Sequence, residues 1–210
     1  MKLVVFIDDD DKFEIPLFRK AFSDYFDIVT GTSLDQVCAQ LEAAKRIPDL
    51  FVLDMYFPDA VPQQADIKNV QTTKLSIDED QGNIRAAYSN FQRAQNRLKT
   101  VLRAWKQGPE GGWLLAENVA AKYPHTPIIF YSRKATAEDV IRCLTLKNVY
   151  GVERKVTGLN DEDTERKTLE NAGRLAATFT KLIETKGEAS IEALRSSANA
   201  IEKYLKSVFG

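Results

Sequence analysis

The 210-residue chain has one histidine and two cysteines, and that scarcity removes several kinds of chemistry at once. His125 stands in a YPHTP stretch that reads as a turn with no partner legible nearby. Ser-His and Cys-His nucleophile systems therefore have little to build on. Cys38 and Cys143 lack metal-ligand spacing and fall at helical core positions, as expected of a reduced, cytoplasmic protein. An excess of one charge is missing too. The 29 lysines and arginines stand against 30 aspartates and glutamates, which gives no global electrostatic case for nucleic acid or an anionic membrane. No apolar run approaches the roughly 18 residues of a membrane span. The start, MKLVVFIDDDDK, follows a short apolar run with acids, unlike a cleavable signal peptide. At 44% hydrophobic, the chain can still bury one good core.

What is present is an alternation of strand and helix patterns. KLVVFI (2–7) is a continuous apolar run of the kind found where both faces of a sheet are covered. Residues 13–24 have helical spacing through Phe13, Leu17, Phe18, Ala21 and Phe22, and DIVT (27–30) reads as a short strand. Ser33 and Gln36 form an S-x-x-Q capping box for a helix to about residue 45, with Leu34, Val37, Cys38 and Leu41 as its stripe. DLFVLD, after Pro48, is the third strand. Much later come a helix over 112–122, a fourth strand at PIIFYS (127–132), a helix near 137–147 capped by Thr136 and Asp139, and a fifth strand at VYGVERK (149–155). Strands separated by helices of this length predict βαβ units and a parallel sheet.

Two segments fall outside the alternation. Residues 59–109 separate the third strand from its helix. Within them, 83–107 have no glycine, proline or acid and carry apolar residues at helical spacing, which predicts one long amphipathic helix. Arg85, Arg93, Arg97, Lys99, Arg103 and Lys106 make it a candidate grip for an acidic partner, against the plainer reading of a solvated face. In the tail, a helix over 162–185 has Leu169, Ala172, Ala176, Phe179 and Ile183 on one face and Gly187 as its stop. A last helix, 189–208 within a C-terminal segment 186–210, either packs on the domain or closes a homodimer, as does the insertion helix. The tail lacks the spacing and basic face of a DNA-binding output domain.

In an open parallel sheet, ligands bind at the carboxyl ends of the strands. Those ends carry Asp8, Asp9 and Asp10 after the first strand, Asp54 after the third, Ser132 after the fourth and Lys155 after the fifth. Convergent carboxylates with oxygen donors and open positions suit a hard divalent cation such as Mg²⁺. A hydroxyl and an ammonium opposite them suit the oxygens of a phosphoryl group.

With its order and neighbours, FIDDDDK (6–12), PDLFVLDMYFPD (48–59), IIFYS (128–132) and VERK (152–155), this constellation resembles the response-regulator receiver domain of two-component signalling. The resemblance implies a doubly wound α/β fold with a five-stranded parallel sheet in flavodoxin-like order 2-1-3-4-5. Residues 1–58 and 110–185 would form it, carrying the inserted helix and an additional C-terminal helix. It further implies that Asp54 is the phosphoacceptor and that Mg²⁺ binds Asp9, Asp54 and the backbone carbonyl of Tyr56, with Asp8 acting through water. Ser132 would be the switch hydroxyl and Lys155 the phosphoryl-pairing lysine. Partners would be a histidine kinase or phosphotransfer protein and a downstream protein of unknown identity. The chain would not itself be an enzyme beyond its own phosphorylation and dephosphorylation. Departures from the family pattern are the long insertion, Arg133 and Lys134 after the switch hydroxyl, Val156 in place of the usual proline, and Val152 in place of the usual aromatic. Arg133 and Lys134 are candidate modulators of donor choice or hydrolysis. The run of aspartates leaves two registers for the acidic pair, Asp8/Asp9 or Asp9/Asp10. Two other readings stay open: a haloacid-dehalogenase-like phosphohydrolase with Asp8 as nucleophile, and a receiver-fold adaptor that is never phosphorylated.

Overall fold

Leu3–Ile7 (β1) is buried at every position because the strand lies inside the sheet with helices over both faces. A computed structural model describes residues 1–58, 93, 107–135, 139, 142–143 and 145–187. After β1 come Glu14–Phe22 (α1), Asp27–Gly31 (β2), Leu34–Ala44 (α2), Leu50–Leu53 (β3), Phe57–Pro58 (β4), Gln107–Gly108 (β5), Pro109–Lys122 (α3), Ile128–Ser132 (β6), Val149–Arg154 (β7) and Asp161–Thr185 (α4). The main sheet has the order β2-β1-β3-β6-β7, with every pairing parallel. Counting only its own strands, that is 2-1-3-4-5, the flavodoxin-like arrangement. The order reverses between β1 and β3, so the crevice at their carboxyl ends is the natural ligand position. Among the described residues no helix is long and apolar enough to cross a membrane.

Two cores cover the two faces. On one, α1 and α4 enclose an aromatic cluster of Phe6, Phe18, Phe22, Phe26, Tyr131 and Phe179. The rings of Phe6 and Phe18 stack with centroids 4.1 Å apart. On the other, Val37 and Leu41 of α2 and Val119 of α3 pack against Phe51 and Phe130. Helix ends follow local chemistry. Ser33 Oγ accepts from Gln36 N, while Gln36 Oε1 accepts from the Thr32 amide, one residue earlier than a strict capping box. Pro16 is accommodated because it lies in the first turn of α1, where its missing N–H has no helical partner to lose.

Several expectations are corrected. The first helix begins at Glu14 and ends at Phe22, leaving Phe13 outside it. Helix α3 begins three residues early, at Pro109, whose fixed φ suits a first helical position. Leu169 is not on the buried stripe of α4; it is 36% exposed, and Thr168, Leu175 and Leu182 are buried instead. That helix stops with Lys186 in the left-handed conformation (φ 47°), and Gly187 follows at φ 83°. Gly187 lies flat on the ring of Tyr150, where a Cβ would stand 2.1 Å from a ring carbon. Strand β7 carries a bulge between the partners of Ile128 and Phe130. As a result Val149 and Val152 share one face, while Tyr150 packs on the opposite one.

The insertion is anchored by a feature the sequence pattern did not reveal. Phe57 pairs with Gly108 and Pro58 with Gln107 in a short antiparallel ladder, so Gln107 is strand rather than the end of the long helix. The chain leaves and re-enters the domain side by side. The remainder of the expected 83–107 helix lies outside the described residues, except Arg93, which is helical and exposed. The expected 189–208 helix also lies outside them.

Helix α3 approaches the end of β3 so closely that a Cβ on Gly112 would meet the Met55 carbonyl oxygen at 2.3 Å. Gly112→Ala is expected to lower stability by about 1–3 kcal/mol, because backbone must shift to admit the methyl group. Gly173→Ala, at an exposed position of α4 whose nearest neighbour is 3.5 Å away, is expected to be neutral or to stabilise by up to about 1 kcal/mol. Urea unfolding of the two variants checks both signs.

Candidate functional site

The strand ladders run one residue beyond the strands and so hold the site's backbone. The Asp8 amide donates to Gly31 O (3.2 Å), Asp54 N to Ile7 O (2.9 Å) and Lys155 N to Ser132 O (3.2 Å). Asp8, Asp54, Ser132 and Lys155, far apart in sequence, thereby come together as residues only 1%, 6%, 1% and 7% exposed. They line a cleft of about 210 Å³ with Asp9, Asp10, Glu14, Tyr56, Arg133 and Lys134.

Lys155 stands at the centre. Its Nζ is 2.5 Å from Asp8 Oδ2, 3.0 Å from Asp54 Oδ1 and 3.5 Å from Glu14 Oε2. It also lies over the rings of Phe6 (5.7 Å) and Tyr131 (5.9 Å), which form an aromatic floor. Burial alone would drive the ammonium toward neutrality, but Asp54, Asp8 and Glu14 outweigh it and raise its pKa above the ordinary lysine value. Asp8 moves the other way: burial, reinforced by Asp54 and only partly opposed by Lys155, pushes its carboxyl up to about 7. Burial and then Asp54 also raise Asp9. For Lys134, burial lowers the pKa.

The run of aspartates is divided among different jobs. Asp8 Oδ1 accepts from the Asp10 amide (2.9 Å). Asp10 Oδ1 in turn accepts from Lys12 N (3.1 Å) and Phe13 N (2.9 Å), capping the turn that enters α1. Asp8 and Asp9 are thus the acids in the field of Asp54 and Lys155. Asp54 Oδ2 accepts from the Tyr56 amide at 2.8 Å. Among the described residues no three acidic, histidine or cysteine side chains are gathered into a ready metal cage; Lys155 occupies the space between the carboxylates. The donors are nonetheless all oxygens, as a hard cation requires. Burial is the main cause of the raised pKa values of Asp8 and Asp9, and the nearby charge of Asp54 adds to it.

Ser132 Oγ is buried without a hydrogen-bond partner among the described residues. Arg133 reaches Glu14 (Nη2–Oε1 2.5 Å), and the Lys134 Nζ lies 5.9 Å from the centroid of the Tyr56 ring. Val152 and Tyr150 pack against opposite cores, so the aromatic residue of this strand lies on the other face from Val152. Of the basic residues expected to bind a partner, Arg85, Arg97, Lys99, Arg103 and Lys106 lie outside the described residues.

Two site residues escaped the sequence reading. Glu14 falls at helical spacing with Leu17, Phe18 and Ala21, and an acid on a buried stripe is a legible signal of a cation opposite. The Tyr56 hydroxyl donates to Asp139 Oδ2 at 2.6 Å. Asp139, expected only as a helix cap, is buried, and burial with Asp139 drives the phenol's pKa well up. Thr136, its expected capping partner, lies outside the described residues.

No protein-family model matches the chain, and no curated protein matches it. Solved structures that are similar include a CheY-like response regulator receiver domain protein from Methanospirillum hungatei JF-1. It is 13% identical, with 86% of this chain and 98% of that chain covered and a TM-score of 0.45. A receiver domain protein from Clostridium thermocellum is 12% identical, with 83% and 99% covered and a TM-score of 0.43. The receiver domain of a DNA-binding response regulator from Colwellia psychrerythraea 34H is 13% identical, with 88% and 99% covered and a TM-score of 0.43. The fold itself rests on the chain's own sheet: five parallel strands in the flavodoxin-like order 2-1-3-4-5.

Proposed function

We propose that the chain is a phosphoacceptor receiver. Asp54 takes a phosphoryl group from a histidine kinase or phosphotransfer protein, and the modified protein signals through protein contacts rather than through DNA. The observation that carries this reading is Lys155 joined to both Asp8 and Asp54, within 3.0 Å, beside a Ser132 hydroxyl that has no partner among the described residues. In the transfer, an Asp54 carboxylate oxygen attacks phosphorus in line with the donor's bond. That bond breaks, its electron pair leaves with the donor, and an acyl phosphate forms. Lys155 exchanges its Asp54 contact for a phosphoryl oxygen, and Ser132 Oγ–H donates to another. Asp8, Asp9, Asp54 and the Tyr56 carbonyl would hold Mg²⁺, which when bound supplies charge neutralisation at the phosphoryl oxygens. Hydrolysis returns the pair to the Asp54 carboxylate and releases inorganic phosphate.

Incubation with acetyl phosphate and Mg²⁺ is expected to add one phosphoryl group by intact mass, and Asp54→Asn to abolish the gain. A label that survives Asp54→Asn but disappears with Asp8→Asn would instead identify a phosphohydrolase. No label from acetyl phosphate or a phosphoramidate would leave a receiver-fold adaptor.

The Asp8 carboxyl also sets a pH dependence. Its folded pKa of about 7 lies above its ordinary 3.8, so the folded chain binds this proton more tightly than the unfolded chain does. Without a divalent cation, Asp8 therefore subtracts stability as pH rises from near 4 through 7. Cation binding needs the ionised form and opposes that loss. The rise in thermal midpoint on adding Mg²⁺ is expected to be larger at about pH 8 than at about pH 6, and Asp8→Asn to remove most of the difference. Equal rises at both pH values in the unmodified protein would refute the assignment.

A further inference from the structure

Glu14 opens α1 on its buried stripe and is 8% exposed, an unfavourable place for a carboxylate unless it is paired. Its two oxygens face different cations: Oε1 is 2.5 Å from Arg133 Nη2, and Oε2 is 3.5 Å from Lys155 Nζ. Arg133 directly follows Ser132, and its guanidinium carbon lies 5.7 Å from the centroid of the Phe13 ring. The guanidinium is thus held by one nitrogen and against one ring. Its Nε is buried without a hydrogen-bond partner among the described residues, as is the neighbouring Ser132 Oγ. Buried donors are seldom left unpaired in a folded protein. Here two consecutive residues that line the cleft of Asp54 each keep an unused donor.

We propose that Arg133 is a second cationic ligand for the phosphoryl group on Asp54, and that Glu14 is the positioning residue that holds it beside Ser132. The proposal rests on the phosphoacceptor reading above. Turning a carboxylate into an acyl phosphate raises the negative charge of the cleft, and the phosphoryl group presents three peripheral oxygens. Lys155 offers a single ammonium that Asp8 and Glu14 continue to share. A planar guanidinium whose Nε is unpaired among the described residues supplies what is lacking. Glu14 stays ion-paired to Arg133 and so keeps its own charge compensated.

Beryllofluoride, a phosphoryl mimic, tests this in the presence of Mg²⁺, with the bound fluoride resonances followed by NMR. The unmodified protein is expected to form an adduct that Asp54→Asn abolishes. Arg133→Ala is expected to weaken it roughly tenfold or more, the usual effect of losing a hydrogen bond from a charged group. Arg133→Lys, which keeps charge and packing but not the fork, is expected to fall between. Glu14→Gln is expected to weaken the adduct less than Arg133→Ala, and the double variant to bind no worse than Arg133→Ala alone, because Glu14 acts through the arginine. Adducts of unmodified strength in both Arg133→Ala and Arg133→Lys would overturn the role of Arg133. Additive losses in the double variant would overturn the positioning role of Glu14. Failure of the unmodified protein to form any Asp54-dependent adduct would defeat the phosphoacceptor reading itself, and this inference with it.

Discussion

One ammonium shared among three carboxylates is the contact on which the rest of the site depends. Lys155 is buried against aromatic rings and faces Asp8, Asp54 and Glu14 together. None of the acids is tolerable alone in that position, since an unpaired buried charge is strongly destabilising. The lysine is also the group a phosphoryl oxygen would most readily attract. The same interaction therefore holds the resting cleft together and makes it responsive to added negative charge. That duality follows from a parallel sheet, which brings the ends of β1, β3 and β7 to one edge whatever the separation in sequence.

The stretch from Asp54 to Pro58 concentrates three tasks in five residues. Asp54 closes the parallel ladder of β3, Tyr56 sends its hydroxyl to Asp139, and Phe57 begins the antiparallel ladder that anchors the insertion. Met55 is clamped from outside by the bare backbone of Gly112. The root of the insertion thus stands three residues from Asp54, and the buried Tyr56–Asp139 contact links it to the helical turn beyond Ser132.

Much of this is legible in the sequence. The uniformly apolar LVVFI and LFVL runs announced strands covered on both faces, and their acidic ends announced the cleft. Helix boundaries slipped where a local preference competed with periodicity. Leu169 has the right spacing but faces solvent because α4 is rotated to place Leu175 and Phe179 on the aromatic cluster. Asp10 looked equivalent to its neighbours, yet its carboxylate caps the entry to α1 instead of joining Lys155. The bulge in β7 decided which of Tyr150 and Val152 faces which core, and a shift of one residue in strand register leaves no trace in composition.

The sequence by itself determined the alternation of strands and helices, the parallel sheet, and the residue types delivered to its edge, because hydrophobic periodicity and strand-end chemistry are local properties. Only the tertiary structure decided which acids share Lys155, that Arg133 turns to Glu14, that Tyr56 meets Asp139, and that the insertion is pinned by a two-rung ladder. Each of these joins residues between 49 and 147 positions apart. Such pairings are set by packing geometry and by the need to neutralise buried charge, and neither is encoded in any short window of residues.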